Sequence, residues 1–191
     1  MRAFLSLDLE NIEIKKEIEK IQYELSKIKT KIKLVETSNL HFTLKFFPHI
    51  EFEDINKIIR IVDNLHLEEI EIKYNKIGVF PNYNKISVIW IGIDQESTNQ
   101  ISNIYNLINN KLKDSDIQKD QRFVPHLTIA RVKNCEDKKY IQKVIEKYKN
   151  IIFGQEKINK IKLKKSILTS NGPIYSNLYV LNMNGGENER T

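Results

Sequence analysis

Arg122-Phe123-Val124-Pro125-His126-Leu127-Thr128-Ile129-Ala130-Arg131 is the stretch whose reading decides the fold. Its centre repeats the chemistry of His41-Phe42-Thr43-Leu44, 85 residues earlier. In a strand successive side chains point to opposite faces, so His41 shares a face with Thr43, and His126 with Thr128. Phe42, Leu44, Leu127 and Ile129 then turn towards a core. Two strands, each apolar apart from one His/Thr pair, predict a two-fold site where two imidazoles and two hydroxyls converge on one ligand.

Outward from these motifs the same shift carries other elements onto one another. Ile14, Ile18, Ile21, Leu25 and Ile28 recur at helical spacing behind Asn11, which has the side chain of an N-cap. Their counterpart is a helix over about 97–112, with Ile101, Ile104, Tyr105, Ile108 and Leu112 as its stripe. A helix near 54–65 matches one near 136–148, and a strand near Ile70 matches one beginning near Ile151. The order strand-helix-strand-helix-strand, met twice, predicts a duplicated α+β architecture: two pseudo-symmetric lobes with antiparallel-rich sheets facing a central cleft and helices on the outside. Residues 1–191 then form a single bilobal domain, with repeat halves of roughly 1–83 and 84–183 and a flexible tail at 184–191. Strands are expected at about 40–47, 86–93, 151–163, 166–170 and 174–181, with Gly78 to Asn82 as a strand end and turn.

Composition limits the company this chain keeps. With 31 basic against 25 acidic residues the formal charge is +6, which suits a polyanion without naming one. A single cysteine, Cys135 at a helix start, excludes an internal disulfide framework and a multi-cysteine metal site, and points to a reducing, cytoplasmic setting. No apolar run approaches the ~20 residues that cross a bilayer.

Paired histidines suit in-line displacement at phosphorus. One neutral imidazole takes a proton from the attacking hydroxyl or water, and the other, as imidazolium, protonates the leaving oxygen; each step contributes ~10²–10⁴-fold. Threonine hydroxyls suit phosphate oxygens better than a metal ion, and no carboxylate lies two or four residues from either histidine, so no metal or cofactor is expected. The residues alone leave open which histidine is acid and which is base. His49 and His66 stand outside the pattern.

Met1-Arg2-Ala3-Phe4, Asn39-Leu40-His41-Phe42-Thr43-Leu44-Lys45-Phe46, Gly78-Val79-Phe80-Pro81 before Trp90-Ile91-Gly92, and Phe123 to Arg131 together resemble the two-histidine (2H) phosphoesterases. Within that superfamily the chain resembles the RNA 2′,3′-cyclic phosphodiesterases, the ThpR/LigT or 2′-5′ RNA ligase-like proteins, over nearly its whole length. The pair Phe47-Pro48 departs from the Leu-Gly that members often carry. The resemblance implies that His41 protonates the departing 3′ oxygen and His126 activates water, opening a terminal 2′,3′-cyclic phosphate to a 2′-phosphate. It places Thr43 and Thr128 on the phosphate and Arg131 near it. The implied partners are RNA ends or small nucleotides with a 2′,3′-cyclic phosphate, and a monomer is expected. The alternatives are 2′-5′ linked RNA, ligated or cleaved at the same site, a cyclic ADP-ribose phosphate, or a non-catalytic RNA-binding protein.

Parity sets a condition on Arg131. Five residues beyond His126, it faces away from the site in a regular strand, so a bulge or strand end is required. Lys45 has the parity to flank the phosphate. Phe46, Phe47, Phe80 and Phe123 are candidate stacking surfaces for a base. Lys160, Lys162, Lys164 and Lys165, alternating with Ile161 and Leu163, read as a half-solvated strand.

Overall fold

The computed structural model describes residues 1–28, 31–113, 123–133, 137–170 and 172–190. Arg122, Cys135, the start of the fourth helix at Glu136 and the turn residue Asn171 lie outside the described residues. In chain order the elements are β1 (Arg2–Asp8), α1 (Ile12–Ser26), β2 (Ile32–Leu34), β3 (His41–Phe47), α2 (Phe52–Asp63), β4 (Ile70–Asn82), β5 (Lys85–Ile93), α3 (Gln95–Lys113), β6 (Leu127–Val132), α4 (Lys138–Tyr148), β7 (Gly154–Ile158), β8 (Lys160–Thr169), β9 (Gly172–Asn182) and β10 (Glu189–Arg190). A short 3-10 turn, Thr37–Asn39, leads into β3.

Local chemistry explains the boundaries. Asn11 caps α1, its side chain accepting from the Glu13 and Ile14 amides, while Ile14, Ile18, Ile21 and Leu25 bury one face of the helix. A capping box between Glu51 and Asp54 opens α2. Pro48 follows the end of β3, as a residue without an amide hydrogen should.

Two five-stranded antiparallel sheets result, ordered β10-β9-β8-β1-β3 and β2-β6-β5-β4-β7. Helix α2 packs with the first sheet, α1 and α4 with the second, and α3 against both, at β3 of the first and β4 of the second. The chain is interlaced between them. It leaves β1 for β2 in the second sheet and returns at β3. It passes to the second sheet again after β3, entering β4, and comes back at Asn159, between β7 of the second sheet and β8 of the first. The strand expected over 151–163 is therefore two strands in different sheets. Buried Ile158 is followed by buried Ile161 and Leu163, an odd spacing that marks the break.

The end of the chain is tied to the rest of the fold by backbone and side-chain hydrogen bonds. Asn184 accepts a hydrogen bond from the Glu69 amide at 2.9 Å, and Glu189 and Arg190 pair with Val180 and Tyr179 on β9. Backbone pairing and side-chain amides satisfy this polar segment where an apolar anchor is missing.

Candidate active site

Both motif strands carry the same irregularity. On β3 the register to β1 slips between the Leu5–Lys45 and Ser6–Thr43 pairs, leaving Leu44 as an extra residue. On β6 the register to β5 slips between the Ile89–Ala130 and Trp90–Thr128 pairs, leaving Ile129. A bulge of one residue reverses the facing of everything beyond it. Arg131 is thereby turned to the same side as Thr128, and Phe46 to the same side as Thr43. Lys45, for which alternation predicts a place beside the phosphate, is turned the other way and is 2% exposed.

The bulge on β6 is braced. Buried Gln22 of α1 donates to the Ile129 carbonyl at 2.9 Å and the Val35 carbonyl at 2.7 Å, and the Val35 amide donates to Ile129 O at 3.0 Å.

The histidines are held alike. His41 Nδ1 donates to the Asn39 carbonyl at 2.6 Å, and His126 Nδ1 donates to the Val124 carbonyl at 2.7 Å. A carbonyl can only accept, so Nδ1 carries the hydrogen and each Nε2 is the atom left for proton transfer. His41 Nε2 lies 3.1 Å from Thr43 Oγ1. The His41 ring stacks on Phe4 with centroids 4.9 Å apart and meets the edge of Tyr175 at 5.6 Å. The His126 ring meets Phe80 edge to face at 5.0 Å. Burial pushes the His41 imidazole below its ordinary value; the Asn39 carbonyl and Asp8 oppose this, and Lys164 and Arg131 reinforce it. Burial likewise lowers His126, with the Val124 carbonyl opposing and Arg131 adding to the shift.

His41, Thr43, His126, Thr128 and Arg131 line one cavity of about 550 Å³ between the sheets. Arg2, Phe4 and Tyr175 line it as well, as do Phe46 and Lys33. Of the candidate stacking residues, Phe46 faces the cavity, Phe47 is buried, Phe80 is spent on His126, and Phe123 stacks on Tyr105 at 4.1 Å. His49 and His66 are exposed and away from the cavity. Sequence reading passed over Phe4 and Arg2, whose parity on β1 could have marked them, and Tyr175, for which no local signal exists. Among the described residues no group of three or more His, Cys, Asp or Glu side chains could hold a metal ion.

Two of the β8 lysines are held by carboxylates, while Lys160 and Lys165 are half-exposed as alternation suggests. Lys164 and Lys162 reach Asp8 at 2.6 Å and 3.0 Å, and Lys162 also reaches Glu10 at 2.8 Å.

The family described as LigT like Phosphoesterase matches residues 9–90 and 91–175. The chain belongs to that family. One motif falls in each matched segment of the LigT-like chain. A protein of Methanocaldococcus jannaschii named RNA 2′,3′-cyclic phosphodiesterase is 46% identical over 176 residues, which is 92% of this chain and 96% of the relative. A Methanothermobacter thermautotrophicus protein of the same name is 32% identical over 96% of this chain and 99% of its own. The LigT-like fold recurs in a crystal structure from Thermus thermophilus with TM-score 0.81 at 20% identity, covering 98% of this chain and 100% of the other. It recurs also in E. coli LigT complexed with 3′-AMP, with TM-score 0.76 at 17% identity, covering 96% and 98%.

Proposed function

We propose that this LigT-like phosphoesterase hydrolyses terminal 2′,3′-cyclic phosphates on RNA or small nucleotides, leaving a 2′-phosphate and needing no metal. The observation that carries the reading is the matched pair of imidazoles, each with Nδ1 on a backbone carbonyl, lining one cavity with two threonines and an arginine. The names borne by the M. jannaschii and M. thermautotrophicus relatives support the substrate class.

In this reading His126 Nε2 takes a proton from water, whose oxygen attacks phosphorus in line with the 3′ oxygen. The bond from phosphorus to the 3′ oxygen breaks, and His41 Nε2 delivers its proton to that oxygen. The negative charge that gathers on the non-bridging oxygens is met by the Thr43 and Thr128 hydroxyls and by the Arg131 guanidinium, donors fixed before the reaction starts. Phe46 offers a face to the base. The single cysteine agrees with a cytoplasmic setting, and one chain holds all of these residues, so a monomer suffices.

The test offers RNA ending in a 2′,3′-cyclic phosphate, with EDTA present, to the wild type, His41→Ala and His126→Ala. Each variant is expected to lose at least ~10²-fold in rate, and the wild-type product to be a 2′-phosphate. Turnover persisting in both variants would overturn the mechanism; wild-type loss in EDTA would show that a metal is required.

A further inference from the structure

The site is symmetric in its histidines and asymmetric in what lies beside them. Asp8 stands directly across the β1–β3 ladder from His41, and residues so paired share a face of the sheet. The Asp8 carboxylate accepts from Ser6 Oγ at 3.0 Å and from Lys164 Nζ at 2.6 Å, and Lys162 Nζ lies 3.0 Å away. The side chains of Asp8 and Lys164 are 11% and 7% exposed, so water screens them little. Burial alone would push the carboxyl up, but the ammonium groups of Lys164 and Lys162 outweigh it and hold Asp8 below the usual carboxylate range. It stays ionised wherever an imidazole titrates.

No such carboxylate flanks His126 in the ladder. One step past the Ile91–Leu127 pair comes Gly92, which has no side chain and is covered by the stem of Lys76. The other titratable groups that line the cavity with His41 are Arg2 from β1, His126 and Arg131 from the second motif, Tyr175 from β9, and Lys33 and the exposed Glu36 on the β2 side. Against these mostly cationic neighbours, Asp8 is the anion built into the sheet.

We propose that Asp8, clamped by Lys162 and Lys164, is a positioning residue that keeps the transferable proton on His41 and so gives a near-symmetric site one direction, His41 as acid and His126 as base. This rests on the two-histidine phosphodiesterase reading. Asp8 is not among the residues that line the cavity; it acts through His41, its partner across the β1–β3 ladder.

The test follows His41 by NMR titration of its ring signals and by the pH profile of kcat/KM on a 2′,3′-cyclic phosphate RNA. In Asp8→Asn the His41 midpoint and the alkaline limb both move to lower pH, the acid limb set by His126 stays, and the rate at pH 8 falls roughly tenfold for each unit of movement. Asp8→Asn takes the carboxylate from Lys164 and leaves Lys162 only Glu10, so Lys164→Met serves as the second variant: removing that cation moves the same midpoint and limb to higher pH. Equal losses at every pH, with the His41 midpoint unmoved in either folded variant, would reduce Asp8 to a structural role and overturn the proposal. If His41→Ala retains wild-type turnover, the underlying reading fails instead.

Discussion

Phe46 and Arg131 occupy the same place in two matched strands: each is the fifth residue after its motif histidine, each stands one bulge beyond its threonine, and both line the cavity. The matched strands thus offer one position twice, and the chain fills it once with a π-face and once with a cation. Arg131→Ala is expected to lower kcat/KM by roughly 10–100-fold, the worth of a charge-assisted hydrogen bond of ~1.5–3 kcal/mol. Arg131→Lys restores only part, because a lysine lacks the planar fork. Phe46→Ala should act chiefly on KM, by about 5–100-fold for the loss of ~1–3 kcal/mol of stacking. Steady-state kinetics on one RNA separates the two.

Gln22 is remote from the reaction and yet braces the bulge that aims Arg131. Gln22→Met leaves the Val35 carbonyl without its side-chain donor and frees the Ile129 segment to relax. The expected cost is ~1–3 kcal/mol in stability, read by denaturant unfolding, with a fall in kcat/KM in the direction of Arg131→Ala. If Arg131→Ala already lacks its guanidinium, adding Gln22→Met should lower activity little further.

Both imidazoles are lowered by burial. A lowered acid brings the alkaline limb of a bell-shaped profile to lower pH, and a lowered base brings the acid limb to lower pH; the two move together. The optimum of kcat/KM, which reports the free enzyme, is therefore expected on the acid side of the ordinary imidazole value of about 6.5. An optimum above pH ~7.5 would contradict this ordering.

Gly78 on β4 faces Trp90 so closely that an added methyl would overlap the indole ring. Trp90 packs on Phe80 at 5.1 Å, and Phe80 on His126. Gly78→Ala should cost ~1–3 kcal/mol through overpacking, read by denaturant unfolding, and should disturb His126 through the two rings while leaving the His41 ring signals in place.

Much of this was legible in residue order, because its causes are local. Asn11 is a cap by its own side chain, and the isoleucine stripe of α1 is a matter of spacing alone. The duplicated motif announced facing sheets for the same reason. What escaped has its cause elsewhere in the chain. The orientation of Lys45 depends on a slip of register against β1, which no property of Lys45 records. Lys162 and Lys164 look solvated until Asp8, from the opposite end of the sequence, is brought between them. Tyr175 reaches His41 only because β9 joins the sheet of β1 and β3.

The passages of the chain between the sheets, out to β2 and back to β3, over to β4, and back at Asn159, set a mechanical condition on the cleft. Halves joined by a single linker could swing apart; these are stitched at opposite ends of the sequence, so opening would have to peel β2 from β6 or pull β7 and β8 against each other. Such a cleft offers whatever enters it one preformed shape, and a gene cut midway between the motifs would yield two fragments each missing part of its own sheet.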